Sequence, residues 1–242
     1  MPRFFVDSNV NDTLCLEGAD AIHISKSLRM KTGDELIICD KNETDHRCII
    51  TNIENNSIFL KVIESTHCIN EPNIYVTLYQ AIPKADKMDL IVQKCVELGV
   101  NKIVPVVTER CISRPDSKSI NKKIIRWQKI SEEAAKQSRR GKIPKIESLI
   151  NLECAAKKSQ ESDCSLVFYE LSGKKINDII NHSPKTISIF IGPEGGFTEQ
   201  EISILSSYNV IPATLGKRIL RTETAPIAAL SIIMYETGNM EI

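Results

Sequence analysis

Several things are scarce in these 242 residues, and each scarcity removes a class of protein. There is no run of about 18 apolar residues, so no membrane-spanning helix is expected, and the opening MPRFFVDSN has no signal-peptide core, which points to the cytoplasm. No Cys-x-x-Cys pair occurs among the eight dispersed cysteines (Cys15, Cys39, Cys48, Cys68, Cys95, Cys111, Cys154 and Cys164), and the four histidines are equally scattered. Reduced, largely buried thiols are therefore expected rather than disulfides, and no metal site. Neither the dinucleotide fingerprint G-x-G-x-x-G nor the phosphate loop G-x-x-x-x-G-K-[ST] is present. Net charge is zero as well, with 31 basic and 31 acidic residues. That balance alone gives no sign of a nucleic-acid partner.

The balance is local, however. Residues 1–70 hold 7 basic against 11 acidic residues, and the stretch from Arg114 to Lys145 holds 11 basic against 3 acidic. A stripe of that sign attracts phosphate, although a solvated helix face has the same composition.

Glycine is also scarce, at ten, and three of the ten fall between positions 192 and 196. They follow the apolar run Ile187-Ser-Ile-Phe-Ile191 and precede Thr198-Glu-Gln-Glu201, which has capping-box spacing. Strand, glycine turn and helix start let backbone amides approach a polar ligand closely. A second segment, Leu215-Gly-Lys-Arg-Ile-Leu-Arg-Thr-Glu-Thr-Ala-Pro226, again sets a glycine and polar residues ahead of a helix. Two such loops in one domain predict a pocket.

Residues 1–70 read as short strands (Arg3–Val6, Glu35–Cys39, His46–Ile53, Ser57–Val62) with one helix over Asp20–Met30. Thr66–Asn73 is a polar connector, and the domain boundary is placed there. Beyond it, strands at Ile74–Ile82, Ile103–Val107, Lys145–Leu149, Ser165–Tyr169 and Ile187–Ile191 alternate with helices at Lys84–Gly99, Ser119–Arg140, Leu152–Lys158 and Lys175–Asn181. Strand after helix after strand is the pattern of a parallel α/β sheet.

The segments IGPEGGFTEQEI and LGKRILRTETAPIAAL together resemble the cofactor loops of SPOUT methyltransferases, and more narrowly the ribosomal RNA small-subunit methyltransferase E family, whose members methylate N3 of a uridine in 16S rRNA. The resemblance implies an N-terminal PUA-like RNA-binding barrel over 1–70. It implies a SPOUT domain over 73–242 whose last segments form a deep trefoil knot, and a homodimer packed through the knotted faces. It also implies S-adenosylmethionine as cofactor, held by Leu171, Ile191, Gly192, Gly196, Leu215, Gly216, Ile219 and Leu220, with Glu170 a weaker candidate. Arg221 is the expected stabiliser of negative charge on the uracil, and Glu223 the candidate carboxylate for removing its proton, or else a helix cap. Arg3, Arg29, Lys87, Arg110, Gln137 and Arg140 match the family pattern as RNA contacts, with Arg140 expected to end a surface helix and to serve the partner protomer's site. His23 also falls in the pattern, but a lone histidine is more often structural. Two rivals stay open at this point: a SPOUT enzyme acting on another RNA, and a non-catalytic RNA-binding assembly factor.

Overall fold

The computed structural model describes residues 1–180 and 182–241, and these form two units. The first takes in Met1–Glu71 together with residues 135–142, and the second Pro72–Ala134 together with 143–242.

In the first unit, β1 (Arg3–Phe5), β2 (Thr13–Leu16), β3 (Glu35–Cys39), β4 (Thr44–Glu54) and β5 (Ser57–His67) make one sheet in the order β1-β3-β4-β5-β2. Only the β1–β3 pairing is parallel. Alternation decides the inner face: Leu36 and Ile38 of β3, Cys48 and Ile50 of β4, and Ile58 and Leu60 of β5 are all buried with Phe4 and Leu16. Asn55 and Asn56, both in the left-handed region, form the two-residue turn between β4 and β5, where asparagine tolerates positive φ. The expected helix over Asp20–Met30 is shorter. A five-residue helix α1 (Gly18–Ile22) continues as a π-helical turn (His23–Ser27) and stops before Arg29, whose φ is +53°. β2 has no counterpart in the sequence reading, because four residues with one deeply buried side chain carry too little alternation to register.

In the second unit, β6 (Tyr75–Ala81), β7 (Lys102–Val107), β8 (Lys145–Ile146), β9 (Ile150–Asn151), β10 (Cys164–Phe168), β11 (Thr186–Ile191) and β12 (Ile211–Ala213) build a sheet in the order β12-β10-β11-β6-β7-β8, with β9 also on β7. Every pairing is parallel. The helices are α2 (Lys87–Glu97), α3 (Ser117–Gln137), α4 (Leu152–Ser159), α5 (Ile176–Ile180), α6 (Glu199–Ser207) and α7 (Thr224–Glu236). α3 ends at Gln137 rather than Arg140, and Arg139 beyond it takes a φ of +59°. The single strand expected at Lys145–Leu149 is instead two short strands, β8 and β9. The helix expected to reach Asn181 is described to Ile180, and Asn181 lies outside the described residues. In the core, Phe190 of β11 stacks on Tyr79 of β6 with ring centroids 4.6 Å apart.

From β6 the chain builds outward through β7 and β8, then returns to fill the opposite side of β6 with β11, β10 and β12. The direction of winding thus reverses between β6 and β11. In open α/β sheets the crevice at the carboxyl ends of such strands is where ligands bind.

Candidate active site

At that crevice the glycine loop leaves β11. Gly196 donates its amide to the Pro193 carbonyl at 3.0 Å and has a φ of +66°, and a Cβ there would lie 2.7 Å from Glu170 Oε1. Gly192 is nearly as confined, its absent Cβ 3.3 Å from the Gly196 backbone. The loop then enters α6 through a full capping box: the Thr198 amide donates to Glu201 Oε2 at 2.9 Å and the Glu201 amide to Thr198 Oγ1 at 3.2 Å. Glu201 is buried, and its other oxygen accepts the Glu109 amide at 2.7 Å, which ties the loop after β7 to the glycine loop. Arg110, in that same loop, donates to the Gly195 carbonyl at 2.7 Å.

The last loop, Thr214 to Glu223, is fastened to the same place. The buried Thr222 hydroxyl donates to the Gly192 carbonyl at 2.7 Å and accepts from Gln80 Nε2 at 3.3 Å. Gln80 is wholly buried at the end of β6. Strand end, last loop and glycine loop are therefore joined through one hydroxyl.

Between these loops lies a cavity of about 510 Å³, within the range of roughly 300–1,000 Å³ usual for small-ligand pockets. Phe168, Tyr169 and Glu170 line it from the end of β10, Ile191 to Gly196 from the glycine loop, and Thr214, Leu215, Gly216, Arg218 to Thr222 and Ala225 from the last loop and α7. Of the expected cofactor residues, Ile191, Gly192, Gly196, Leu215, Gly216, Ile219 and Leu220 all sit on this wall. Leu171 does not; it stands just past Glu170, 72% exposed. Ile219 is 82% exposed, an apolar side chain presented on the cavity wall. Gly195, Arg218 and Thr222 line the cavity without having been assigned to the cofactor in the sequence, although each falls inside the two quoted segments; Thr214, also on the wall, lies one residue before the second.

Lys87, at the start of α2, also lines the cavity and bridges two carboxylates, Glu194 Oε1 at 3.0 Å and Glu223 Oε2 at 3.1 Å. Hydrogen bonds to Glu194 and then Glu223 hold the Lys87 ammonium above its usual value. Burial pushes both carboxyls up, but Lys87 and backbone amides outweigh it, and both lie below the usual value. Arg221 adds to this effect at Glu223. A carboxylate held ionised in this way is a poor proton acceptor. Arg221 itself is exposed on the cavity wall, while Glu223 stands outside the lining, engaged with Lys87.

The expected RNA contacts divide. Arg29 and Gln137 are exposed. Arg110 and Lys87 are engaged with the glycine loop and its carboxylate as just described. Arg3 and Arg140 are corrections. Arg3 is buried and paired with Asp45, and Arg140 is 2% exposed, its guanidinium on Glu71 at 2.7 and 3.1 Å. A buried guanidinium satisfied by a carboxylate is not offered to a phosphate, so neither Arg140's expected surface contact nor its expected reach into a partner's site fits its place. The thiols are all free, with Cys15 and Cys154 exposed and the rest buried. Burial pushes Cys39 up to about 12 and Cys48 and Cys164 to about 11.

Residues 70–234 match the model of an RNA methyltransferase domain, and residues 16–63 that of an RNA methyltransferase PUA domain. The chain is 34% identical to the ribosomal RNA small subunit methyltransferase E of Bacillus subtilis, over 98% of this chain and 97% of that one. It is 35% identical to the protein of the same name from Mesomycoplasma hyopneumoniae, over 96% and 98%. Among solved structures, a ribosomal RNA small subunit methyltransferase E from Neisseria gonorrhoeae bound to S-adenosyl methionine superposes with a TM-score of 0.89 at 34% identity, covering 97% of each chain.

Proposed function

Since the chain belongs to the ribosomal RNA small subunit methyltransferase E family, we propose that it methylates N3 of a uridine in the 16S rRNA of the small ribosomal subunit, using S-adenosylmethionine. The observation that carries this reading is the cavity at the β6–β11 crevice, walled by two glycine-containing loops that one buried hydroxyl joins. Where Gly196 and Gly192 lack side chains, any Cβ would crowd Glu170 or the loop backbone, which suits a ligand pressed against main chain. Ile191, Gly192, Gly196, Leu215, Gly216, Ile219 and Leu220 would hold the cofactor. When bound, it supplies an electrophilic methyl group.

The chain's own part is to orient the uracil and to stabilise the charge left when its imide proton departs. Arg221 meets that need, because it lines the cavity and a guanidinium there would stabilise the negative charge that the flanking carbonyl oxygens gain. Glu223 is the weaker half of the expected pair. Its carboxylate is held ionised by Lys87, so it serves to fix Lys87 rather than to take a proton, and its side chain makes no capping hydrogen bond at the start of α7.

The finer architecture follows the family. The N-terminal sheet is read as a PUA-like barrel over residues 1–70 that grips RNA, with Arg29 and Gln137 as contacts, and residues 73–242 as the SPOUT domain. A trefoil knot is supported by the path of the last loop, which leaves the edge strand β12 and reaches Gln80 at the end of β6, passing the ends of β10 and β11. A homodimer is supported by α7, a nearly all-apolar helix that still leaves Tyr235 72% and Ile232 38% exposed. Cytoplasmic placement accords with a ribosomal substrate, and no helix among the described residues is long and apolar enough to cross a membrane.

The test is nucleoside mass spectrometry of 16S rRNA from cells with and without this gene product. An N3-methyluridine present only with the protein is expected. Its appearance in both samples, or a different modified base, would overturn the proposal.

A further inference from the structure

The basic stretch from Arg114 to Lys145 is sorted by the structure into engaged and unengaged charges. Arg126 is paired with Asp89, Lys145 with Glu147 and Arg140 with Glu71. Three lysines of α3 remain exposed, Lys118, Lys122 and Lys129, and none has an ion pair or side-chain hydrogen bond among the described residues.

Their spacing places them together. Steps of four, three and four residues through Lys118, Lys122, Ile125 and Lys129 keep to one face of a helix with 3.6 residues per turn. The buried side chains of the same helix, Trp127 and Ser131 among them, fall on the opposite face. The stripe runs for about 16 Å at the usual helical rise. No acidic residue lies between its lysines; Asp116 precedes the helix, and Glu132 and Glu133 follow the last of the three. Ile125 sits in the middle, 60% exposed. Arg126, beside the stripe, and the Trp127 indole (3.1 Å), on the opposite face, both hold Asp89 on α2, two residues past Lys87 on the cavity wall. The helix that bears the stripe is thus fixed to a helix that bears part of the cavity.

We propose that this face of α3 tracks the phosphate backbone of the substrate RNA, an assignment that rests on the methyltransferase reading above. A line of like charges without interleaved acids complements another line of like charge, and a polyphosphate chain is one. Lysine suits the task, since an ammonium on a flexible stem meets successive phosphates without the fixed geometry of a guanidinium fork. Ile125, between the ammonium groups, is placed to meet a ribose or base face. An acidic protein would need its carboxylates in the same linear array.

The test compares the full-length wild type with the triple variant Lys118→Gln, Lys122→Gln, Lys129→Gln. The probes are a 16S rRNA transcript and assembled small subunits, each titrated over a series of salt concentrations, with cofactor binding and melting temperature measured alongside. All three positions are exposed, so the fold should be unaffected. At roughly 0.7–0.9 per neutralised phosphate, the log–log salt slope of RNA binding should fall by about 2 to 3, with cofactor affinity unchanged. An unchanged slope on both probes would mark the stripe as a solvated face and overturn the proposal. So would a loss confined to assembled subunits, which would assign the stripe to a ribosomal protein. A wild type that methylates neither RNA would instead remove the underlying reading, whatever the variant does.

Discussion

Lys87 shows how far one residue departs from what its position alone suggests. The family pattern implies an RNA contact there, yet its ammonium is shared between Glu194 and Glu223, one from each loop that walls the cavity. Depressed carboxyl values stabilise the fold above the ordinary carboxylate range, and that contribution is lost as pH falls through the lowered values. Lys87, whose value is raised, keeps its charge throughout neutral pH and loses it only above its ordinary range. The cluster should therefore hold across the whole neutral window. In Lys87→Met the burial that pushes both carboxyls up is left less opposed, so their values rise and the stability that their ionisation contributes at neutral pH is reduced. Melting curves between roughly pH 4 and pH 8 check this: the deficit of the variant should be largest at neutral pH and narrow as pH falls through the carboxylate range. Parallel curves for the two proteins would show that the cluster carries no such coupling. Arg110 teaches the same lesson, for its guanidinium holds the Gly195 carbonyl rather than standing free.

Among the elements, those with strong periodicity were legible, and some of the short ones were not. The aliphatic run of β11 and the apolar repeat of α2, with Met88, Ile91, Val92, Cys95 and Val96 all buried, follow directly from spacing. β2 and β12 do not, since strands of three or four residues draw their stability from neighbours that a local pattern cannot see. The π-helical turn at His23–Ser27 likewise has no signature in composition. At the site, glycines marked both loops, in the first because close backbone approach demands them and in the last because Gly216 takes a φ of +99°. The joint between the loops was not visible, because Thr222 and Gln80 are 142 positions apart and meet only through the sheet order. Replacing that joint tests its weight. Thr222→Val should leave the buried Gln80 amide and the part-buried Gly192 carbonyl without this partner, costing about 1–3 kcal/mol of stability, and should weaken cofactor binding with it. Chemical denaturation combined with cofactor titration measures both, and an unaltered cofactor affinity would show that the loops are held independently.

At the scale of the whole molecule, the parallel arrangement of the second unit was legible as an alternation of strands and helices, whereas its strand order was not. The reversal between β6 and β11 that opens the crevice arises from how distant segments pair. Residues 135–142 group with the first unit although the chain has by then left it, held there by Lys136 on Asp20, Arg140 on Glu71 and Lys142 on Glu43. That grouping is why Arg140, read from its neighbours as the end of a basic surface helix, is instead a buried ion pair. The central claim is that the cavity between the two loops is the cofactor site, and Gly196 tests it most directly. A side chain at its φ of +66° costs about 1–2 kcal/mol, and the nearest obstruction is the movable carboxylate of Glu170, so the fold should survive while the cavity is filled. Calorimetric titration of S-adenosylmethionine into wild type and Gly196→Val, with a melting curve for each, gives the answer. The account predicts a folded variant whose cofactor affinity is weaker by about a hundredfold or more. Binding of wild-type strength in the folded variant would contradict it.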